Sequence, residues 1–231
     1  MHKMHFLCLH GKGTNNKVFE AQTAALRYAI NSDQHHTYDF AEGALETTME
    51  ESIRDLFPAT SSYYSYFDLS TPSSMVKVLR DLERFIVAEG PFDGVLAFSQ
   101  GAAVAATLMA QRMKRDAAQE RLRPVFKCAV FVGAAAPCDP IELEEHGRVR
   151  VLDAAVDGEV IEVPTAHIWG EQDASLYPQL LAGLCRAEGR NVYVHEGGHA
   201  IPGSQTDEAL AGSVRVVKRC IAMAQYGQVP R

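Results

Sequence analysis

The 231-residue chain has no long apolar run, no C-x-x-C pair and no excess of positive charge, and each absence removes a class of function. Nothing approaches the ~18 consecutive apolar residues of a membrane span. The apolar stretch inside MHKMHFLCLHG is too short for a secretory signal, with His5 and His10 flanking it. A cytoplasmic protein without membrane insertion is expected. Lys and Arg number 22 against 29 Asp and Glu, a formal charge of -7, so the concentrated positive charge that nucleic acid requires is missing. The one basic run, 112–123, is interrupted by Asp116 and Glu120 and reads as a solvated helix end. Cysteines are five, an odd number. Cys8 and Cys128 sit in apolar strand-like runs, as small buried hydrophobes of a reducing compartment do, rather than as a disulfide framework. No His/Cys cluster has metal-ligand spacing, His35-His36 reads as surface, and neither a metal nor a cofactor is expected.

What is present is alternation. Short apolar runs at 4–9, 36–40, 92–98, 125–132, 165–169 and 192–195 read as strands. Helical spacing of apolar residues falls between them at 18–30, 74–89, 101–113, 176–187 and 207–224. Strand and helix alternating from end to end predict one α/β domain over 1–231, with a mostly parallel sheet covered by helices on both faces. Two stretches stand outside the pattern. Residues 42–74 carry Pro58, Pro72 and the aromatics Tyr63, Tyr64, Tyr66 and Phe67; residues 137–163 are polar and acidic. Both are expected to be lids or pocket walls, since long excursions in compact domains are usually functional.

Ser99 stands in Ala97-Phe98-Ser99-Gln100-Gly101, where an apolar strand gives way to a helix rich in small residues. A sharp strand-to-helix turn there exposes a serine, and small neighbours let strand and helix pass closely. The helix N-terminus adds backbone N–H groups beside the reacting oxygen. Serine alone is a poor nucleophile; an imidazole must take its proton and a carboxylate must orient the imidazole. Downstream, Asp173 follows one strand in Gly170-Glu171-Gln172-Asp173, and His199 follows the next in His195-Glu196-Gly197-Gly198-His199. The order Ser, Asp, His is that of α/β-hydrolases, and all three sit after strand ends. Glu171 is the rival acid and His195 the rival base. Asp173 is preferred because Glu171 is nearer the strand end and points elsewhere. His199 is preferred because the Gly197-Gly198 turn can bring it back over the serine. An oxyanion hole would take the N–H of Gln100 and, from the loop His10-Gly11-Lys12-Gly13, that of Lys12.

These segments, with Gly90-Pro91-Phe92-Asp93-Gly94-Val95-Leu96-Ala97-Phe98-Ser99-Gln100-Gly101-Ala102 at their centre, resemble the fungal-type family of serine hydrolases over nearly the whole chain. The resemblance implies a Ser99–Asp173–His199 triad, with Ala97 standing where the family commonly has glycine. It also implies an esterase or thioesterase. The segments Thr37-Tyr38-Asp39-Phe40-Ala41-Glu42-Gly43 and Tyr64-Ser65-Tyr66-Phe67-Asp68 resemble the branch that releases polyketides from fungal synthases. The expected substrate is then an acyl thioester or ester, with the acyl-carrier domain of a polyketide synthase as partner. The place of the aromatics after the second strand, at the carboxyl ends of the strands, makes Tyr64 and Phe67 the lining of the acyl entrance, with packing on the core as the alternative. Met109, Trp169 and Tyr177 are further candidates for that lining. A general carboxylesterase on small esters and a non-catalytic binding module are the alternatives.

Overall fold

A computed structural model describes residues 2–32, 35–57, 62–203 and 207–227. In chain order the elements are β1 (His5–Leu9), α1 (Asn16–Gln22), α2 (Ala24–Ile30), β2 (Thr37–Ala41), β3 (Leu45–Thr47), β4 (Tyr63–Ser65), α3 (Pro72–Glu89), β5 (Gly94–Phe98), α4 (Gln100–Arg115), α5 (Ala117–Leu122), β6 (Cys128–Val132), α6 (Pro140–His146), α7 (Ala154–Asp157), β7 (Thr165–Gly170), α8 (Tyr177–Gly183), β8 (Arg190–His195) and α9 (Asp207–Tyr226). Six strands form one parallel sheet in the order β2-β1-β5-β6-β7-β8. β3 and β4 form a separate antiparallel pair.

The period of two in the strands sorts the core. Leu7, Leu9, Val95, Ala97, Ala129 and Phe131 face one side, where Met75, Leu79 and Leu82 of α3 and Ala102–Ala106 of α4 cover them. Phe6, Cys8, Leu96, Phe98, Val130 and Val132 face the other, against Leu26 of α2 and Val217, Cys220 and Ile221 of α9. Each large apolar side chain buried this way contributes about 1.5–3 kcal/mol. α3 starts with Pro72 in its first turn, where a missing N–H costs nothing, and its buried residues recur at helical spacing. The first twelve residues of α4 are all buried, half of them Gly or Ala, which let the helix lie close against the sheet.

Several expectations change. The helix expected at 18–30 is two, divided at Thr23, whose hydroxyl donates back to Phe19 O at 2.7 Å. The basic run 112–123 breaks at Asp116, which caps α5 by accepting the Gln119 N–H. His36 is buried rather than surface: its Nδ1 accepts the Met4 N–H at 3.1 Å, and burial lowers its pKa. Residues 42–74 hold the β3–β4 pair and a 3₁₀ turn at Glu51–Ile53. Residues 137–163 hold α6 and α7, pinned by Asp139, Arg150, Asp157 and Lys114. Lys114 lies at the end of α4 remote from Ser99, about 22 Å away along the helix. Within that pinned excursion, α6 packs against α3 and α4. Among the described residues no helix is long and apolar enough to cross a membrane.

Candidate active site

The chain runs from β1 out to the edge strand β2 and returns past β1 to β5. Adjacent strand ends whose connections leave in opposite directions open a crevice, the place where parallel α/β sheets hold their ligands. The loop after β1 and Ser99 after β5 both border it. Ser99 has φ 51°, the only positive φ outside glycine among the described residues. Such a backbone is strained for a side-chain-bearing residue and persists only where surroundings enforce it. They do: Ser99 N–H donates to Val132 O at 3.0 Å, and Ser99 O accepts from Ala135 N–H at 3.0 Å and Ala102 N–H at 3.1 Å. Gly101 completes the turn. A Cβ there would stand 2.4 Å from Leu9 O, whereas its bare N–H reaches His10 O at 3.1 Å. Ala97 is fully buried without displacing the turn, so the missing glycine at that position is accommodated.

Three side chains from separate loops then meet. Ser99 Oγ lies 3.0 Å from His199 Nε2, and His199 Nδ1 lies 2.7 Å from Asp173 Oδ2. An ionised carboxylate only accepts, so the imidazole proton is on Nδ1 and bare Nε2 is free to take the serine proton. The Asp173 side chain is 5% exposed and the His199 ring 44%. Asp173 is thus shielded while His199 faces the solvent side. Phe98 supports the imidazole at a ring-centroid distance of 5.0 Å.

The acid and base turns are built against each other. Glu171 N–H donates to His195 O at 2.7 Å and Gln172 N–H to Gly197 O at 3.0 Å. Gly170 leaves room for this: a Cβ would stand 2.0 Å from Gly197 O. Asp173 Oδ1 accepts the Ser175 N–H at 3.0 Å, which leaves Oδ2 for the histidine. The rivals fall elsewhere. Glu171 is exposed, and His195 is buried with Nδ1 accepting the Gly197 N–H at 3.1 Å. Burial lowers the His195 pKa against the opposing pull of the Ala200 backbone carbonyl and the charge of Asp173.

The loop after β1 supplies backbone donors. Gln100 is the first residue of α4, so its N–H has no intrahelical acceptor. The N–H of Lys12 meets no protein acceptor among the described residues. Gly11 brings this loop onto the serine, since a Cβ on it would lie 3.4 Å from Ser99 Cβ. Gly11 O is held from behind by His10 Nδ1 and Thr14 Oγ1, each at 2.7 Å. In a trans peptide the following N–H points the opposite way, so Lys12 N–H is turned away from His10 and Thr14. Its side chain is exposed and takes no part.

The aromatic region turns mostly inward. Tyr63, Tyr66 and Phe67 are buried, Phe67 within the core under α3 and α4; Tyr64 is half-buried and Leu69 exposed. β4 is stitched to the loop after β1 by Gly13 N–H to Tyr64 O at 2.9 Å and Tyr64 N–H to Thr14 O at 2.8 Å. A cavity of 310 Å³ lies between α3 and the end of β2, with Tyr66 in its wall and none of the three triad residues among its lining. Met109 opens onto a groove with Met113, Leu122 and Pro164, about 15 Å along α4 from Ser99. Trp169 is buried, and Tyr177 is 47% exposed just after the acid turn. Two contributors were not visible in the sequence. Gly133, at φ 46° after β6, faces the His199 ring, and a strand-end glycine is the only signal it gives. The Gln100 amide accepts Tyr66 N–H at 2.8 Å and donates to Phe67 O at 2.9 Å.

The family model described as serine hydrolase (FSH1) matches residues 1–209. Esterase FPY3 of Fusarium mangiferae is 37% identical over 227 residues, covering 97% of this chain and 100% of that protein. Arabidopsis thaliana SOBER1 superposes with a TM-score of 0.57 at 14% identity, covering 95% of this chain and 100% of its own. A carboxylesterase from Mesorhizobium loti gives 0.55 at 16% identity, covering 96% and 90%. At these identities the solved structures speak for the fold alone.

Proposed function

The chain belongs to the FSH1 family of serine hydrolases, and from that premise we propose that Ser99, His199 and Asp173 cleave an acyl thioester or ester through a covalent acyl-serine. The observation that carries this is the unbroken hydrogen-bond chain from Ser99 Oγ through His199 to Asp173 beside two unpaired backbone N–H groups. Ser99 Oγ attacks the carbonyl carbon as Nε2 takes its proton, and Asp173 stabilises the imidazolium. The N–H groups of Lys12 and Gln100 receive the negative oxygen. Collapse expels the thiolate or alkoxide, which takes the proton from His199. Water, deprotonated by the same nitrogen, then releases the acid.

The acyl group in this reading is a polyketide or fatty chain delivered on a carrier domain. Apolar surface available to it is supplied by Leu176 and Tyr177, exposed directly after the acid turn, and by half-buried Tyr64 against the oxyanion loop. Thioesters and oxoesters from acetyl to decanoyl test the substrate class. An apolar site gains about 0.8 kcal/mol per buried CH₂, about fourfold in kcat/KM per carbon until it is full. A flat or falling profile assigns the protein to small esters instead. Ser99→Ala removes labelling by a fluorophosphonate and, by analogy with other serine hydrolases, lowers kcat by about 10⁴–10⁶; persistent labelling overturns the nucleophile assignment.

A further inference from the structure

Tyr66 makes no hydrogen bond to Ser99 or His199, yet its hydroxyl is buried and fully used. It accepts the His10 N–H at 3.0 Å and donates to Ala41 O at 2.8 Å. Its own N–H is held by the Gln100 amide at 2.8 Å, and the Gln100 amide also donates to Phe67 O. Its ring lies against the His10 imidazole at 4.7 Å between centroids. His10 closes the circuit on both sides: its carbonyl accepts the Gly101 N–H at 3.1 Å, and its Nδ1–H holds Gly11 O. The Gly43 N–H reaches the other ring nitrogen at 2.9 Å. One closed path of hydrogen bonds thus joins the start of α4, which carries the Gln100 N–H, to the Gly11–Lys12 peptide, which carries the Lys12 N–H.

We infer that Tyr66 is a positioning residue that sets the spacing between the two oxyanion donors, its hydroxyl bracing the loop after β1 while its backbone is clasped by Gln100. The inference rests on the reading of Lys12 and Gln100 as those donors. Preorganised donors stabilise developing charge because they need no rearrangement when it appears. Two donors on separate elements keep that property only if the elements are tied. A phenylalanine here would fill the same space and leave the His10 N–H and the Ala41 carbonyl without partners. The loop would then relax toward whatever satisfies them. Burial holds the phenol protonated, so the donation to Ala41 persists at neutral pH.

Tyr66→Phe in the full chain separates positioning from mere packing. The expected result is a kcat lowered about 10- to 100-fold with KM within about twofold, short of the 10²–10³ lost when a donor is removed outright. An alkyl trifluoromethyl ketone, which Ser99 converts to a tetrahedral oxyanion, should lose affinity by the same factor as kcat/KM. Gln100→Met, which keeps the backbone donor and deletes the clasp, should show the same split. The double variant should lose less than the product of the two single losses, because both open one brace. A kcat within twofold of wild type, unaltered ketone affinity, or fully multiplicative losses overturns the inference. The donor reading is checked separately, by the backbone amide resonances of Lys12 and Gln100 in wild-type protein as the ketone adds. If they stay in place the donor assignment fails; if they shift while Tyr66→Phe is silent, the brace alone fails.

Discussion

Gly133 lies flat against the imidazole of His199: a Cβ on it would stand 3.1 Å from Cε1 and 3.2 Å from Nδ1. The residue also holds φ 46°, a conformation that L side chains rarely adopt. Gly133→Ala therefore pushes the ring that both Ser99 and Asp173 must reach. Displacing a catalytic group by about 1 Å can cost ~10²-fold. The expected outcome is a kcat reduced by about that factor, read in steady-state assays, with slower fluorophosphonate labelling of Ser99. Wild-type turnover in the alanine variant would show that the ring has room to retreat.

The acid is tested by pairing two substitutions in one turn. Asp173→Asn keeps the shape and removes the charge that fixes the imidazole proton on Nδ1; the protease precedent puts the loss near 10⁴ in kcat. Glu171 is exposed and reaches the histidine turn only through its backbone N–H. Glu171→Gln should stay within about twofold, as surface changes do. A greater loss from Glu171→Gln reverses the assignment.

Phe67 and Tyr64 should part company. Phe67 is buried in the core under α3 and α4, and truncating such a ring costs about 3–5 kcal/mol. Phe67→Ala is expected to lower the melting temperature strongly and to affect all substrates alike. Tyr64 keeps its role in the backbone stitching to Thr14 whatever its side chain. Tyr64→Ala should leave the melting temperature nearly unchanged and raise KM more for decanoyl than for acetyl substrates. Equal effects on the two substrates would remove Tyr64 from the acyl site.

The cluster at the far end of α4 gives a pH signature. Hydrogen bonds from Arg150 are the main reason the Asp157 carboxyl titrates at about 2 instead of 3.8, with the Asp153 N–H and the charge of Lys114 acting in the same direction against burial. A depressed folded-state value favours the native protein wherever the group is ionised. This stabilisation is complete above about pH 4 and disappears as the pH falls toward about 2. Thermal melts across that window should show the loss in wild type. Arg150→Met should start lower at neutral pH, by about 2–4 °C for each kcal/mol removed, and converge with wild type in acid. Parallel curves would mean that Arg150 contributes packing only.

The large-scale plan was open to reading because buried parallel strands write themselves as apolar runs. All six runs are strands of the sheet, and of the three residues drawn together by chain order the histidine lies within hydrogen-bond reach of both the serine and the aspartate. What escaped has identifiable causes. β3 and β4 are three residues each, too short to show a period. The division at Thr23 depends on one hydroxyl competing for the Phe19 carbonyl, while the apolar spacing on either side continues undisturbed. His36 is inside because the Met4 N–H needs an acceptor, a partner more than thirty positions away. Gly133 matters through a side chain it lacks, and the Gln100 amide matters through Tyr66 and Phe67, more than thirty positions away. The last three are relations between distant positions, which local pattern does not contain.

The fit between the acid turn and the histidine turn carries a consequence for recombining this fold. Gly170 admits the Gly197 carbonyl only because both turns are cut to one shape, and the Glu171 and Gln172 amides bind the partner's main chain. A chimera taking β7 from one parent and β8 from another inherits two halves of a joint shaped for different partners, even if Asp173 and His199 are both kept. Crossover points before residue 165 or after residue 200 pass the joint on whole. Points between them should yield folded but slow enzymes, with the defect in the aim of the imidazole.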